Sequence, residues 1–192
     1  MDDSLYRTLK LTAVAIVVAW LGWTIYDSFI RQGSPGDRAY HTGNTLFEDG
    51  AYDRALSGYE TALAANPEHV YALRGYARTL MQLDRFDEAL VAFDQAIARE
   101  PQFGGTYANR GILRDRMGHY ELAIKDYERA LELDPTTSKG PNWLTRFLRV
   151  QPDKPPGIAE RAAYLREELA KPEGERLLRI PEIDAAQRSY KQ

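Results

Sequence analysis

Any chemistry in this chain would rest on three histidines and a large stock of carboxylates, because its 192 residues include no cysteine. His41, His69 and His119 lie far apart, and none has a second ligand at the i, i+3 or i+4 spacing that puts two donors on one helix face. They read as solvated structural side chains, and no metal is expected. The adjacent acids Glu48-Asp49 and Asp87-Glu88 flank turns, where carboxylates serve helix ends rather than an acid-base pair in a pocket. No phosphate-cradling glycine loop, nucleophile elbow or His-Glu-x-x-His motif is present. The residues therefore predict a chain that is not an enzyme, holds no cofactor and takes no small-molecule substrate.

Binding is the remaining class. With 25 basic against 28 acidic side chains and a formal charge of -3, nothing suits a nucleic-acid backbone, so a protein or peptide partner is expected. The elements that would position such a site are written three times at a 34-residue interval. Tyr52, Phe86 and Tyr120 follow the turn pairs Asp49-Gly50, Leu83-Asp84 and Met117-Gly118. Ala55, Ala89 and Ala123 come next, then Tyr59, Phe93 and Tyr127, then Ala62, Ala96 and Ala130. Pro67, Pro101 and Pro135 close the units.

The i, i+4, i+7 spacing of Ala55, Tyr59 and Ala62 places alanine and aromatic on one helix face. A first helix in each unit carries Gly43, Ala77 or Gly111, small enough for close approach of two backbones. Proline ends the unit because the residue before it is driven out of helical geometry. Two helices and two turns fill each interval.

These columns resemble the tetratricopeptide repeat family over about half of the chain. The match is a small residue in the first helix, Ala-x3-Phe/Tyr-x2-Ala in the second, and a terminal proline. The family's first-helix tryptophan position holds Ala39, Leu73 and Tyr107, and its tyrosine position holds Leu46, Leu80 and Arg114. The resemblance implies an all-α solenoid whose first helices line a concave groove. The matching groove positions are Asp37, Tyr40, Asn44 and Phe47, then Tyr71, Arg74, Arg78 and Met81, then Gly105, Ala108, Ile112 and Asp115. The expected partner site is Tyr40, Asn44, Phe47, Tyr71, Arg74, Arg78 and the neighbouring Asn109. Aromatics beside guanidinium groups suit an extended peptide bearing acidic or C-terminal carboxylates. Of the carboxylate-clamp positions of chaperone-binding relatives only Asn44 is matched, so a chaperone tail is not the expected ligand. Substituting Arg74→Glu with Arg78→Glu is expected to weaken capture and leave the fold intact.

Residues 1–30 read as an N-terminal membrane anchor with its core at 11–26, where LTAVAIVVAWLGWTIY carries no charge. Sixteen residues rise roughly 24 Å, which Lys10 extends by snorkelling. Trp20, Trp23 and Tyr26 suit a headgroup belt. The bulky aromatic end and the lack of a small-x-small site argue against a cleaved signal peptide. Arg7 and Lys10 favour a cytoplasmic N-terminus, which puts the repeat body on the extracytoplasmic side, periplasmic in a bacterium. Residues 31–36 form a hinge short enough to keep the repeats at the bilayer surface.

The repeats are expected over 37–138, as units of about 36–69, 70–103 and 104–137. Residues 139–150, with Trp143, Leu144, Phe147 and Leu148, are expected to cap the solenoid. Beyond lie a Pro-rich linker, an amphipathic helix from Ile158 to Lys171 and a tail that no pattern places. Together these features predict a membrane-anchored adaptor or scaffold acting in assembly or maintenance of a membrane or envelope complex. Two alternatives stand beside it: a permanent structural subunit buried through its convex face and tail, and an accessory module for a cell-wall or other enzyme.

Overall fold

The computed structural model describes residues 3–30, 36–136 and 157–179, and all eight α-helices among them are right-handed segments with no strand beside them. Helix α1, Asp3–Ile30, is 28 residues long, or about 42 Å at 1.5 Å per residue. Its stretch Ser4–Tyr26 has a mean hydropathy of 1.7 and buries nothing against the rest of the protein. The helix is thus longer than its uncharged core and takes in Arg7 and Lys10. It is long and apolar enough to cross a membrane.

Three antiparallel helix pairs follow, α2 (Asp37–Glu48) with α3 (Tyr52–Ala65), α4 (Val70–Gln82) with α5 (Phe86–Arg99), and α6 (Gly104–Arg116) with α7 (Tyr120–Leu133). Each pair closes the same way. The amide N–H groups of Ala51, Arg85 and His119 donate to the carbonyls of Leu46, Leu80 and Arg114, at 2.9, 3.0 and 2.8 Å, satisfying carbonyls at the end of the first helix. That closure needs a left-handed residue, which is Gly50 (φ 75°), Asp84 (φ 57°) and Gly118 (φ 80°). The proline column acts as expected on its predecessors: Asn66, Glu100 and Asp134 leave the helix with φ of -145°, -131° and -144°.

All nine residues of the three second-helix columns, the paired alanines with Tyr59, Phe93 and Tyr127, are 0% exposed. The rings explain the small first-helix column. A Cβ added at Gly111 would stand 2.6 Å from the Tyr127 ring, and one at Gly43 3.0 Å from Tyr59. Ring volume on one helix, rather than backbone approach alone, excludes a side chain on the other.

Arg114, at the family's tyrosine position, is held by charge. Its Nη1 donates to Asp126 at 2.7 Å, while Arg110 donates twice to Asp126, at 2.9 and 2.6 Å, and once to Asp94 at 2.6 Å. One guanidinium on α6 thereby ties α5 to α7.

The array ends under α8, Ile158–Leu169, which packs on α7. Ile158, Ala162 and Leu165 are buried in one cluster with Ile112, Leu113, Ala123 and Tyr127. Its first turn is fixed by Glu160, whose Oε2 accepts the Gly157 N–H at 2.5 Å. The end of the solenoid is covered here by 158–169; the expected cap at 139–150 lies outside the described residues, as do most of the expected hinge and residues 180–192 of the tail. Part of that tail is placed. After a turn at Glu173–Glu175, residues 176–179 return along α8. Leu177 N–H donates to Glu168 at 2.7 Å, Tyr164 OH donates to Leu177 O at 2.6 Å, and Arg161 Nη2 donates to Leu178 O at 3.0 Å.

Candidate functional site

Helices α2, α4 and α6 form one row, α4 touching both neighbours, and the expected site residues lie along it. In the first two units the residues do come together. The Tyr40 ring is 6.3 Å from Tyr71 and 5.0 Å from His69, centroid to centroid. Arg78 holds its guanidinium carbon 4.4 Å from the Phe47 ring centre. Arg74 lies 3.9 Å from the Phe103 ring and 5.5 Å from Tyr71. Such stacks attract through the ring quadrupole, more strongly as water is removed.

The arginines are not open side chains. Arg74 is 1% exposed and Arg78 7%, whereas Tyr71 is 50% exposed and Tyr40, Asn44 and Phe47 are half-buried. Arg74 donates through Nη2 to Glu100, and its Nε and Nη1 are buried with no hydrogen-bond acceptor. Burial pulls the Arg78 guanidinium below its ordinary pKa, against the pull of Tyr59, Tyr40 and Glu48. This corrects the expectation that Arg74→Glu and Arg78→Glu leave the fold intact. A carboxylate at either place would be buried among rings with its counter-charge gone. The surface offered to a ligand is aromatic, with cationic planes directly behind it.

Asn44 has a second task. Its Oδ1 accepts the Tyr59 hydroxyl at 2.6 Å, which satisfies the one polar atom of a wholly buried ring. Burial pushes that phenol up to about 12.

The third unit departs from the expected groove. Asn109 is 2% exposed, and Gly105, Ala108, Ile112 and Asp115 are all buried. The cause at Asp115 is α8, since Arg161 reaches across to the carboxylate at 2.7 and 2.8 Å. The open face therefore runs over α2 and α4 and closes at α6.

His69 also differs from its expected solvated place. It is buried between Tyr40 and Tyr71, its Nε2 stands 2.9 Å from Asp37 Oδ1, and its Nδ1 accepts the Ala72 N–H at 3.3 Å. An accepting Nδ1 puts the proton on Nε2, facing the carboxylate. One imidazole thus caps α4 and pins it to the start of α2. Among the described residues no cluster of three or more histidines and acids is arranged to hold a metal. Sequence spacing alone carried no signal for Glu100, Phe103 or Arg161, because each reaches the face from another element.

Residues 46–109 and 106–137 each match a model of the tetratricopeptide repeat. RNA polymerase II-associated protein 3 of Homo sapiens is 31% identical over 105 residues, covering 55% of this chain and 16% of that protein. Stress-induced-phosphoprotein 1 of Caenorhabditis elegans is 29% identical over 139 residues, covering 72% of this chain and 42% of that protein. The chain thus spans less than half of the length of these curated relatives. Among solved structures, the first tetratricopeptide domain of Spaghetti (RPAP3) bound to the HSP90 peptide SRMEEVD superposes with a TM-score of 0.58 at 25% identity, covering 72% of this chain and 97% of that one. The first such domain of human RPAP3 gives 0.53 at 27%, covering 70% and 97%.

Proposed function

From the tetratricopeptide repeats that this chain carries between residues 46 and 137, we propose an adaptor that captures an extended, carboxylate-bearing peptide of a protein partner and holds it beside a membrane. One observation carries the reading. Tyr40, Phe47 and Tyr71 form an accessible aromatic face whose underside is lined by Arg74 and Arg78. Flat rings grip an extended backbone at low entropic cost, and the cations behind them favour an acidic occupant. The SRMEEVD peptide bound by the Spaghetti domain is of this class, which supports an acidic C-terminal segment as the ligand although only Asn44 matches the clamp positions.

The membrane half of the proposal rests on α1. Beyond its length and hydropathy, its threonine hydroxyls donate to their own helix, Thr8 to Ser4 O, Thr12 to Thr8 O and Thr24 to Trp20 O, at 2.8 to 2.9 Å. A segment in hydrocarbon must satisfy its polar groups internally, and these are satisfied. In this reading the N-terminus is cytoplasmic and the repeats lie on the other side, working at an assembling membrane or envelope complex.

A second reading, a permanent subunit held by the convex face, has its own support. Val91 and Leu122 stand more than two-fifths exposed on α5 and α7, and Tyr76 of α4 with Asp87, Glu88, Val91, Ala92 and Gln95 of α5 lines a depression of about 390 Å³. The two readings part on one titration. Fluorescent SRMEEVD added to the full chain in detergent should bind saturably, and C-terminal amidation or Tyr71→Ala should weaken it about tenfold, the scale of one charge-assisted contact. Equal binding of the amidated peptide, or none by either, would overturn the groove reading. Protease protection in intact cells reads the orientation, and extraction of the chain by alkaline carbonate would remove the anchor.

A further inference from the structure

One residue breaks the column that precedes the three prolines. Asn66 and Asp134 use their side chains on their own turns: Asn66 Oδ1 accepts the Glu68 N–H at 3.1 Å, and Asp134 Oδ1 accepts the Thr136 N–H at 2.9 Å and its hydroxyl at 2.7 Å. Glu100 stands in the same column of the second unit, but its carboxylate is one methylene longer and reaches back to α4, where Oε2 accepts from Arg74 Nη2. Arg74 breaks its own column as well, since the equivalent residues are Tyr40 on α2 and Ala108 on α6. The two departures from the repeat meet each other.

The pair they form is uneven, with the Arg74 side chain 2% exposed and that of Glu100 43%. Arg74 is held in place without Glu100. Its guanidinium carbon lies 3.9 Å from the Phe103 ring centre and 5.5 Å from that of Tyr71, and Phe103 lies in turn over Gly105, where a Cβ would stand 2.7 Å from its Cε1. Arg74 Nε and Nη1 have no acceptor, so Glu100 answers one of three guanidinium nitrogens. Returning a half-hydrated carboxylate to water costs little, whereas a buried guanidinium left with no counter-charge is costly. Exchange of one carboxylate for another is therefore the easy event at this place.

We propose that Glu100 is an internal stand-in for the ligand's carboxylate, neutralising Arg74 until an acidic peptide on the aromatic face takes its place. The inference rests on the proposed groove and names the contact that an acidic ligand makes there. Tyr71 brings the exchange onto the face, because its half-exposed ring is both a wall of the site and a cover of Arg74. Glu100 also sets a threshold. A neutral segment offers nothing that can replace it on the guanidinium, so the contact selects carboxylate-bearing peptides and lowers the affinity for all of them.

The test is a titration of fluorescent SRMEEVD against the full-length chain in detergent, as the parent and as Glu100→Gln, Glu100→Ala and Glu68→Gln. Glu68, which pairs with Arg99 and is 77% exposed just before α4, controls for a change of charge alone. Both Glu100 variants should bind about three- to fivefold more tightly than the parent, the scale of an ion pair with one exposed partner, and Glu68→Gln should stay within about twofold of it. Amidated SRMQQVN, which has no carboxylate, should gain nothing in any variant. With amidated SRMEEVD, a gain that persists assigns the exchange to a side-chain carboxylate, and a gain that disappears assigns it to the C-terminal one. Equal or weaker binding by the Glu100 variants, an equal gain in Glu68→Gln, or a gain with the carboxylate-free peptide overturns the proposal and leaves the groove reading standing. Binding of SRMEEVD to none of the four proteins removes both.

Discussion

The Arg161 guanidinium sits in a two-point ion pair on the Asp115 carboxylate, at 2.7 and 2.8 Å, with both side chains 3% exposed. Forty-six residues apart in sequence, the two join α8 to α6, and Tyr127 adds its hydroxyl to the same carboxylate at 3.1 Å. A pair this dry is costly to break from one side, because the remaining charge stays buried without its partner.

Arg161→Met or Asp115→Leu alone should therefore lower unfolding stability by about 3–5 kcal/mol, while the double substitution should lose less than the sum of the two. Urea unfolding of the four proteins reads the cycle. Additive losses would mean that the two groups act independently.

At Gly75 the prediction is steric. A Cβ there would lie 2.3 Å from Tyr59 Cε1, with the ring locked by its bond to Asn44 and by Gly43 on its other side. Gly75→Ala should cost about 1–3 kcal/mol through overpacking, despite alanine's better helix propensity. A thermal midpoint at or above that of the parent would show that the ring yields freely.

Asp84 offers a change in the other direction. It holds φ 57° where the equivalent residues of the other two units are Gly50 and Gly118. Asp84→Gly should raise stability by about 0.5–1 kcal/mol, since glycine takes the left-handed region without Cβ strain. Differential scanning calorimetry would register the gain, and a lowered midpoint would refute it.

Alkaline pH should unfold the chain through Tyr59. Its phenol is raised by burial from an ordinary 10 to about 12 in the folded state, so its contribution is complete below pH 10 and is lost as pH rises toward 12. Within that window stability should fall by up to about 1.4 kcal/mol per pH unit from this group. Tyr59→Phe should flatten the slope between pH 10 and 12 while lowering stability at neutral pH through the loss of the Asn44 bond. An unchanged slope would assign alkaline unfolding to other groups.

Legibility followed the range of the interactions. The helix pairs, the turns at 50, 84 and 118 and the proline exits rest on contacts within one 34-residue unit, and repetition made each readable three times over. The site was only half legible. Tyr40, Phe47 and Tyr71 lie on the first-helix row that the resemblance implied, but the exposure of Arg74 and Arg78 depends on Phe103, Glu100 and Phe47, which come from other elements.

The residue order by itself determined an all-α repeat solenoid behind an apolar N-terminal helix, because propensity, turn chemistry and ring-against-glycine packing are short-range and periodic. Only the tertiary structure decided where that solenoid stops being open. Arg161 has no counterpart in any repeat column and pairs with Asp115 only once α8 has folded back, so the closure of the third unit is a long-range event that no local pattern encodes. The same holds for His69, whose burial comes from Asp37, Tyr40 and Tyr71 converging on one imidazole across two units.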